Sequence, residues 1–148
     1  MKDSRTGMMG LVVVICVLAI KFAGIYSIKT GHSGFSVFLF FLIIPAYSRA
    51  GMIFGMKFLK YGRDKGFGHD FFSRDLSVKD FIWLCIPVFL SLFTGQKFLT
   101  INILFALMIF LILVFYKSKM NCITGDMLGA MAEVVEAMLF LICGNTLF

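Results

Sequence analysis

Met8-Met9-Gly10-Leu11-Val12-Val13-Val14-Ile15-Cys16-Val17-Leu18-Ala19-Ile20-Lys21-Phe22-Ala23-Gly24-Ile25-Tyr26-Ser27-Ile28 holds a single charge, Lys21, in 21 residues. A helix rises ~1.5 Å per residue and needs ~20 mostly apolar residues to cross a bilayer, so this stretch predicts a membrane span. Lys2 and Arg5 ahead of it also suit a secretory signal. That reading fails, because the apolar core is too long and no small-residue cleavage site follows it cleanly.

Outward from that stretch the same composition repeats. Of 148 residues, 60% are apolar and 15% charged, against ~25% charged in a soluble chain. A second span is expected over Gly34–Phe58, with Ser48 and Arg49 inside it and a kink at Pro45. The hydrophilic stretch from Lys60 to Lys79 follows, then two spans over Asp80–Thr94 and Leu99–Tyr116 joined at Gly95–Lys97. The first of that pair is short and must borrow from its flanks. Asp126–Leu147 makes the last. The expected fold is all-α, a polytopic transmembrane bundle of about five spanning helices, forming one membrane-embedded domain over 1–148. No repeat, low-complexity tract or linker divides it.

Basic residues set the expected orientation. Lys2, Arg5, Lys57, Lys60, Arg63, Lys65, Arg74, Lys79, Lys117 and Lys119 fall on one side, and only Lys29 and Lys97 on the other. The positive-inside rule places the amino terminus, the long loop and residues 117–125 at the cytoplasmic face. Cys16, Cys85, Cys122 and Cys143 stand alone in or beside apolar runs, so buried, unreactive thiols are expected rather than a disulfide framework or zinc site. His32 and His69 are far apart and suggest no metal centre.

Three groups exceed what lipid requires. Arg49 lies ~12 Å of helix from the cytoplasmic end of its span, where a charge should face protein or water. Lys21 could pair or snorkel. On the last span Asp126, Gly129, Ala130, Glu133, Glu136 and Ala137 share one acidic, small-residue face. That face is expected to admit a neighbouring helix closely and to turn its carboxylates into the bundle, toward Arg49, Lys21, a metal or water. Thr124-Gly125-Asp126 reads as a helix entrance, with Thr124 or Asp126 as cap and free backbone amides that could receive an anion. Arginines, glycines and carboxylates gathered at one face suit a phosphate ester or diphosphate. A small transporter or channel subunit, and a non-catalytic subunit needing a partner chain, are the alternatives.

Read as motifs, these groups resemble a known family. Met1-Lys2-Asp3-Ser4-Arg5 with Gly7, Gly10 and Lys21 looks like the middle of adenosylcobinamide-GDP ribazoletransferase, also called cobalamin-5′-phosphate synthase. Ser48-Arg49, Tyr61-Gly62-Arg63 and Gly66-Phe67-Gly68 are similar to its serine–arginine pair and its PYAR and GLG elements. Ile123-Thr124-Gly125-Asp126-Met127-Leu128-Gly129-Ala130, with Glu133 and Glu136, resembles its TGDxLGA segment. Lys60 and Gly62 depart from the usual proline and alanine. Family members also begin with a further membrane portion bearing an Asp-rich HLDGLAD…DG motif. This chain is therefore expected to be the carboxyl-terminal part of a longer domain, completed by a separately encoded amino-terminal half or by upstream sequence.

The resemblance implies transfer of adenosylcobinamide phosphate from adenosylcobinamide-GDP to α-ribazole or its 5′-phosphate, with release of GMP and magnesium as cofactor. It implies phosphate contacts for Arg5, Arg49 and Arg63, a metal role for Asp3, and a metal or base role for Asp126. Ser4, Ser48, Tyr61, Gly66, Gly68, Thr124 and Gly125 become substrate-binding candidates. Lys21, Glu133 and Glu136 are expected to form structural polar pairs. The resemblance also implies a prokaryotic inner membrane. The lipid bilayer and a homo-oligomer are further expected partners; nucleic acid is not. A CDP-alcohol phosphotransferase would share the reaction type, but its D-G-x-x-A-R…G…D…D pattern is absent.

Overall fold

The computed structural model describes residues 4–62, 81–95 and 97–144, with side chains from Gly7 onward. Among these, five α-helices alternate in direction: α1 Ser4–Gly31, α2 Gly34–Phe58, α3 Ile82–Ser91, α4 Lys97–Lys119 and α5 Gly125–Gly144. A 3₁₀ turn, Leu92–Thr94, extends α3. Four helices, α1, α2, α4 and α5, are long and apolar enough to cross a membrane, which makes this an integral membrane protein. The stretch Ile82–Thr94 falls short of that length, the one departure from five full spans.

The connections follow local chemistry. Ser33 precedes α2 in extended conformation, and its carbonyl accepts the Val37 amide. Gly95 takes φ +65° between α3 and α4, a left-handed conformation that glycine adopts without steric cost. Asn121 takes φ +52° after α4, where both its amide and that of Met120 reach the Tyr116 carbonyl. Asparagine tolerates that geometry better than most residues. α2 continues as one helix through Pro45.

α5 is the hub. Met131, Val135 and Leu139 are buried toward α2 and α4, joining Ile43, Ile44 and Phe105 in the core. Gly51 and Gly55 of α2 give way to Ile109, Leu128 and Ile123 side chains, which a Cβ would meet at 2.8 to 3.0 Å. α1 packs along α5 and touches α2 little. Its contact is backbone on backbone, because a Cβ on Gly24 would stand 2.5 Å from the Phe140 carbonyl carbon, and one on Gly144 2.7 Å from the Gly24 oxygen. Close approach was expected on the face of Gly129, Ala130 and Ala137, of which Ala137 is buried. Gly129 has open space at its Cβ position and Ala130 is exposed. The small residues that meet backbone are Gly24 of α1 and Gly144, about four turns beyond Gly129 on α5.

Two cysteines also differ from expectation. Cys143 is buried and Cys122 half-buried, whereas Cys16 and Cys85 are exposed on the outer sides of α1 and α3. An apolar helix exposes such residues to lipid at no cost, so the apolar run around a cysteine does not by itself bury it.

Candidate functional site

One end of the bundle gathers the start of α1, the end of α2, the start of α3, the end of α4 and the start of α5. Two backbone hydrogen bonds tie the segment after α2 to the one before α5. The Gly62 amide donates to the Ile123 carbonyl and the Ile123 amide to the Lys60 carbonyl, both at 2.9 Å. They make a parallel bridge between Tyr61 and Ile123. Ile123 is fully buried and anchors this end with Leu59 and Leu128. The approach is close because Gly62 has no side chain, and a Cβ there would lie 2.8 Å from Cys122 Sγ. The bridge therefore carries Tyr61 to the entrance of α5.

Thr124 caps that entrance. Its carbonyl accepts the Leu128 amide at 3.0 Å, and its hydroxyl faces the Met127 amide at 3.4 Å. Gly125 and Asp126 follow, exposed, in the first turn, where the helix dipole favours a carboxylate. The Tyr116 hydroxyl donates to the Met127 carbonyl at 3.1 Å and fixes the end of α4 alongside. Lys57, Lys60, Lys117 and Lys119 are exposed at this end. Lys29 and Lys97 lie at the other, and Lys97 Nζ donates to the Cys143 carbonyl at 2.8 Å at the end of α5.

Deeper in the bundle the polar residues separate. Lys21 Nζ donates to Glu133 Oε2 at 2.6 Å and to Glu136 Oε1 at 3.1 Å. This is the pairing expected of Lys21, but the carboxylates face α1 and not the α2–α4 core. Ser48 is fully buried, with its hydroxyl donated to the Ala132 carbonyl at 3.0 Å. Arg49, expected in the interior, is exposed on the outer side of α2. It borders a shallow groove with Trp83, Ile86 and Pro87. The Ser48–Ala132 bond holds Arg49 and Glu133 at one depth, yet among the described residues no ion pair joins them.

Of the remaining candidates, Ser4 and Arg5 belong to the first turn of α1 and their side chains are not described. Asp3, Arg63, Gly66 and Gly68 lie outside the described residues. The described part thus brings Tyr61, Thr124, Gly125 and Asp126 together and leaves Ser48 and Arg49 deeper. Among the described residues no three acidic, histidine or cysteine groups cluster as a metal site. Asp126 is the described carboxylate at this end. Sequence reasoning missed the network of Tyr47, Ser91 and Asn102, whose members are 44 and 11 positions apart. Only their polarity within apolar spans signalled it.

Comparison with known proteins gives a consistent answer. The family described as cobalamin-5-phosphate synthase matches residues 1–144. An adenosylcobinamide-GDP ribazoletransferase of Thermodesulfovibrio yellowstonii is 36% identical over 97% of this chain and 55% of its own length. Namesakes from Alkaliphilus metalliredigens and Clostridium tetani are 30% and 31% identical, over 100% and 96% of this chain and 59% and 56% of theirs. The chain spans about half the length of the curated relatives it matches. No solved structure matches. On its family match and these relatives, the chain belongs to the cobalamin-5-phosphate synthase family.

Proposed function

We propose that this chain forms the carboxyl-terminal part of an adenosylcobinamide-GDP ribazoletransferase, with its active face at the bundle end that carries Tyr61, Thr124 and Asp126. A hydroxyl of α-ribazole, or of its 5′-phosphate, attacks the corrin-side phosphorus of adenosylcobinamide-GDP; the phosphoanhydride bond breaks and GMP leaves. The observation that carries the reading is the Tyr61–Ile123 bridge, which holds Tyr61-Gly62, the start of one motif of the resemblance, against the ITGD segment across 62 residues of sequence. Reactions of this class depend on positioning and charge neutralisation more than on covalent chemistry.

The residues take roles accordingly. Lysines 57, 60, 117 and 119 give this end a positive field that draws in a diphosphate. Thr124 and the α5 amides suit a phosphate oxygen, as at other helix starts. Arg5, Arg49 and Arg63 are assigned to phosphate oxygens. Asp126 either accepts the attacking hydroxyl's proton or, with Asp3, holds magnesium. Magnesium sites often use one or two carboxylates and let substrate phosphates and water complete the shell, a donor set that Asp126 fits. Bound there, the ion would neutralise charge on the diphosphate. The same end faces the cytoplasm, in keeping with its excess of lysine and arginine.

The test is transfer activity in membranes supplied with adenosylcobinamide-GDP, α-ribazole and magnesium. The chain is assayed alone and together with the portion of a relative that it does not span. Asp126→Asn should lower turnover at least a hundredfold in whichever form is active, with normal membrane levels. Unaltered turnover in that variant would remove Asp126 from the site, and inactivity of both wild-type forms would remove the ribazoletransferase reading.

A further inference from the structure

α1 and α5 run parallel in a fixed register. Lys21 meets Glu133 and Glu136, Gly24 meets Phe140, and Ser27 and Ile28 meet Gly144. Toward the amino terminus the contact stops. From Met8 to Ile20 every residue but the half-buried Val17 is exposed, and neither Gly7 nor Gly10 has a neighbour within 4 Å of a Cβ position. Lys21 is the last polar tie between α1 and the described bundle before the proposed active face, with only the half-buried Val17 one turn beyond it.

That position gives it leverage. From Lys21 to Ser4 the helix runs ~25 Å, so a change of about 10° in its angle to α5 displaces its end by ~4 Å. Hydrocarbon provides no force that returns an all-apolar helix to one angle against a neighbour. Backbone contact at Gly24 fixes the distance between the helices but acts near one point. Lys21 adds a second point about one turn away, and its ammonium is gripped by carboxylates one turn apart on α5. Its side chain is 14% exposed and that of Glu136 15%, so solvent scarcely competes. Glu133, at 49%, holds the outer side.

We infer that Lys21, Glu133 and Glu136 are positioning residues that fix the angle at which α1 leaves α5 and so aim its Ser4–Arg5 end at the Asp126 end of the bundle. The inference rests on the proposed function for the purpose of the aim, though not for the angle itself. Loss of Lys21 leaves two carboxylates facing each other with no cation between them. Loss of either glutamate alone leaves one ion pair and a smaller effect.

Spin-label distances in lipid test it, on the full chain with native cysteines replaced by alanine. One pair, Met8→Cys with Met120→Cys, reports the free end of α1; another, Tyr26→Cys with Leu141→Cys, reports the packed part. Lys21→Met should shift or broaden the first distance by about 4 Å or more and leave the second unchanged. The triple exchange Lys21→Glu, Glu133→Lys, Glu136→Lys should restore it. An unchanged first distance, or both distances moving together, would overturn the inference. In membranes active for transfer, Lys21→Met should lower kcat about tenfold or more, with a smaller change in KM. A shifted helix with normal kcat would overturn the positioning role. Should the wild type show no transfer, the functional reading falls, and the distances alone decide the clamp.

Discussion

Gly24 of α1 lies so close to Phe140 of α5 that a Cβ on the glycine would stand 2.5 Å from the phenylalanine carbonyl carbon. The obstacle is helix backbone and cannot swing aside as a side chain would. Gly24→Val should therefore push α1 off α5 and destabilise the protein by about 1–3 kcal/mol, the range for overpacking. That corresponds to a fall of several degrees in melting temperature in detergent for a chain of this size. Gly10→Val, with nothing near its Cβ position, is the control and should melt as wild type does. Equal melting of the two variants would show that the close approach is not what holds α1.

Tyr47 illustrates how a few polar atoms are satisfied inside an apolar bundle. Its hydroxyl has one proton to give, and the shorter contact, 2.7 Å to Asn102 Oδ1, takes it. The Asn102 amide donates to Ser91 Oγ and the Phe98 carbonyl, and Ser91 donates to the Val88 carbonyl. Every proton is used. Tyr47→Phe strands the Asn102 oxygen and should cost about 1 kcal/mol, within the range for hydrogen bonds between membrane helices. The double variant Tyr47→Phe with Asn102→Leu should cost less than the two single changes added together. Strict additivity, measured by denaturation in detergent, would show that the pair does not interact.

The sequence made the membrane class and all five helices legible, the short one at Ile82–Thr94 included, because hydrocarbon imposes an apolar composition that any stretch such as Met8–Ile28 displays. It also offered the Lys21 pairing, with Arg49, a metal or water as the alternatives, because two carboxylates at mid-span must be neutralised. It did not disclose which face of a helix meets which neighbour. Inside a bilayer, inner and outer faces are both apolar, so periodicity fails where it succeeds in soluble proteins. Hence Arg49 was expected inside and lies outside, and the close contact fell to Gly24 and Gly144 rather than Gly129. The motifs of the candidate site were legible; the backbone bridge joining Tyr61 to Ile123 was not, because its two sides lie 62 residues apart.

Arg49 offers a test that separates stability from function. It is exposed on α2, about 13 Å of helix from Phe58, with no ion pair among the described residues. An arginine near the centre of a span costs roughly 2.5–3.5 kcal/mol on the insertion scale. Arg49→Leu should leave the melting temperature of this chain unchanged or raised, because it removes a charge and adds an apolar side chain. In transfer-competent membranes the same variant should lose at least a hundredfold in turnover. A lowered melting temperature would mean that Arg49 serves the fold, and normal turnover would remove it from phosphate binding.

The Gly62–Ile123 contact makes the last prediction, because it joins the two motifs on which the proposed site depends. A side chain at position 62 first meets Cys122, with Sγ at 2.8 Å and Cβ at 3.0 Å from an added Cβ. Gly62→Ala should therefore strain the bridge and shift Tyr61 away from the α5 entrance without disturbing the buried core around Val135 and Leu139. A displacement on the order of 1 Å at a positioning element can cost up to about a hundredfold in rate, so a fall in turnover of about tenfold is expected. Cys122→Ala removes the nearer obstacle and should be almost silent alone, yet recover part of the activity lost in Gly62→Ala. That recovery is a coupling between neighbours of the kind a double-mutant cycle isolates. A purely chemical role for the glycine amide would give no recovery, since the Cys122 thiol would then have no part in the defect. Partial rescue would show that the site is assembled by the close passage of these two chain segments, with glycine at position 62 required by lack of space.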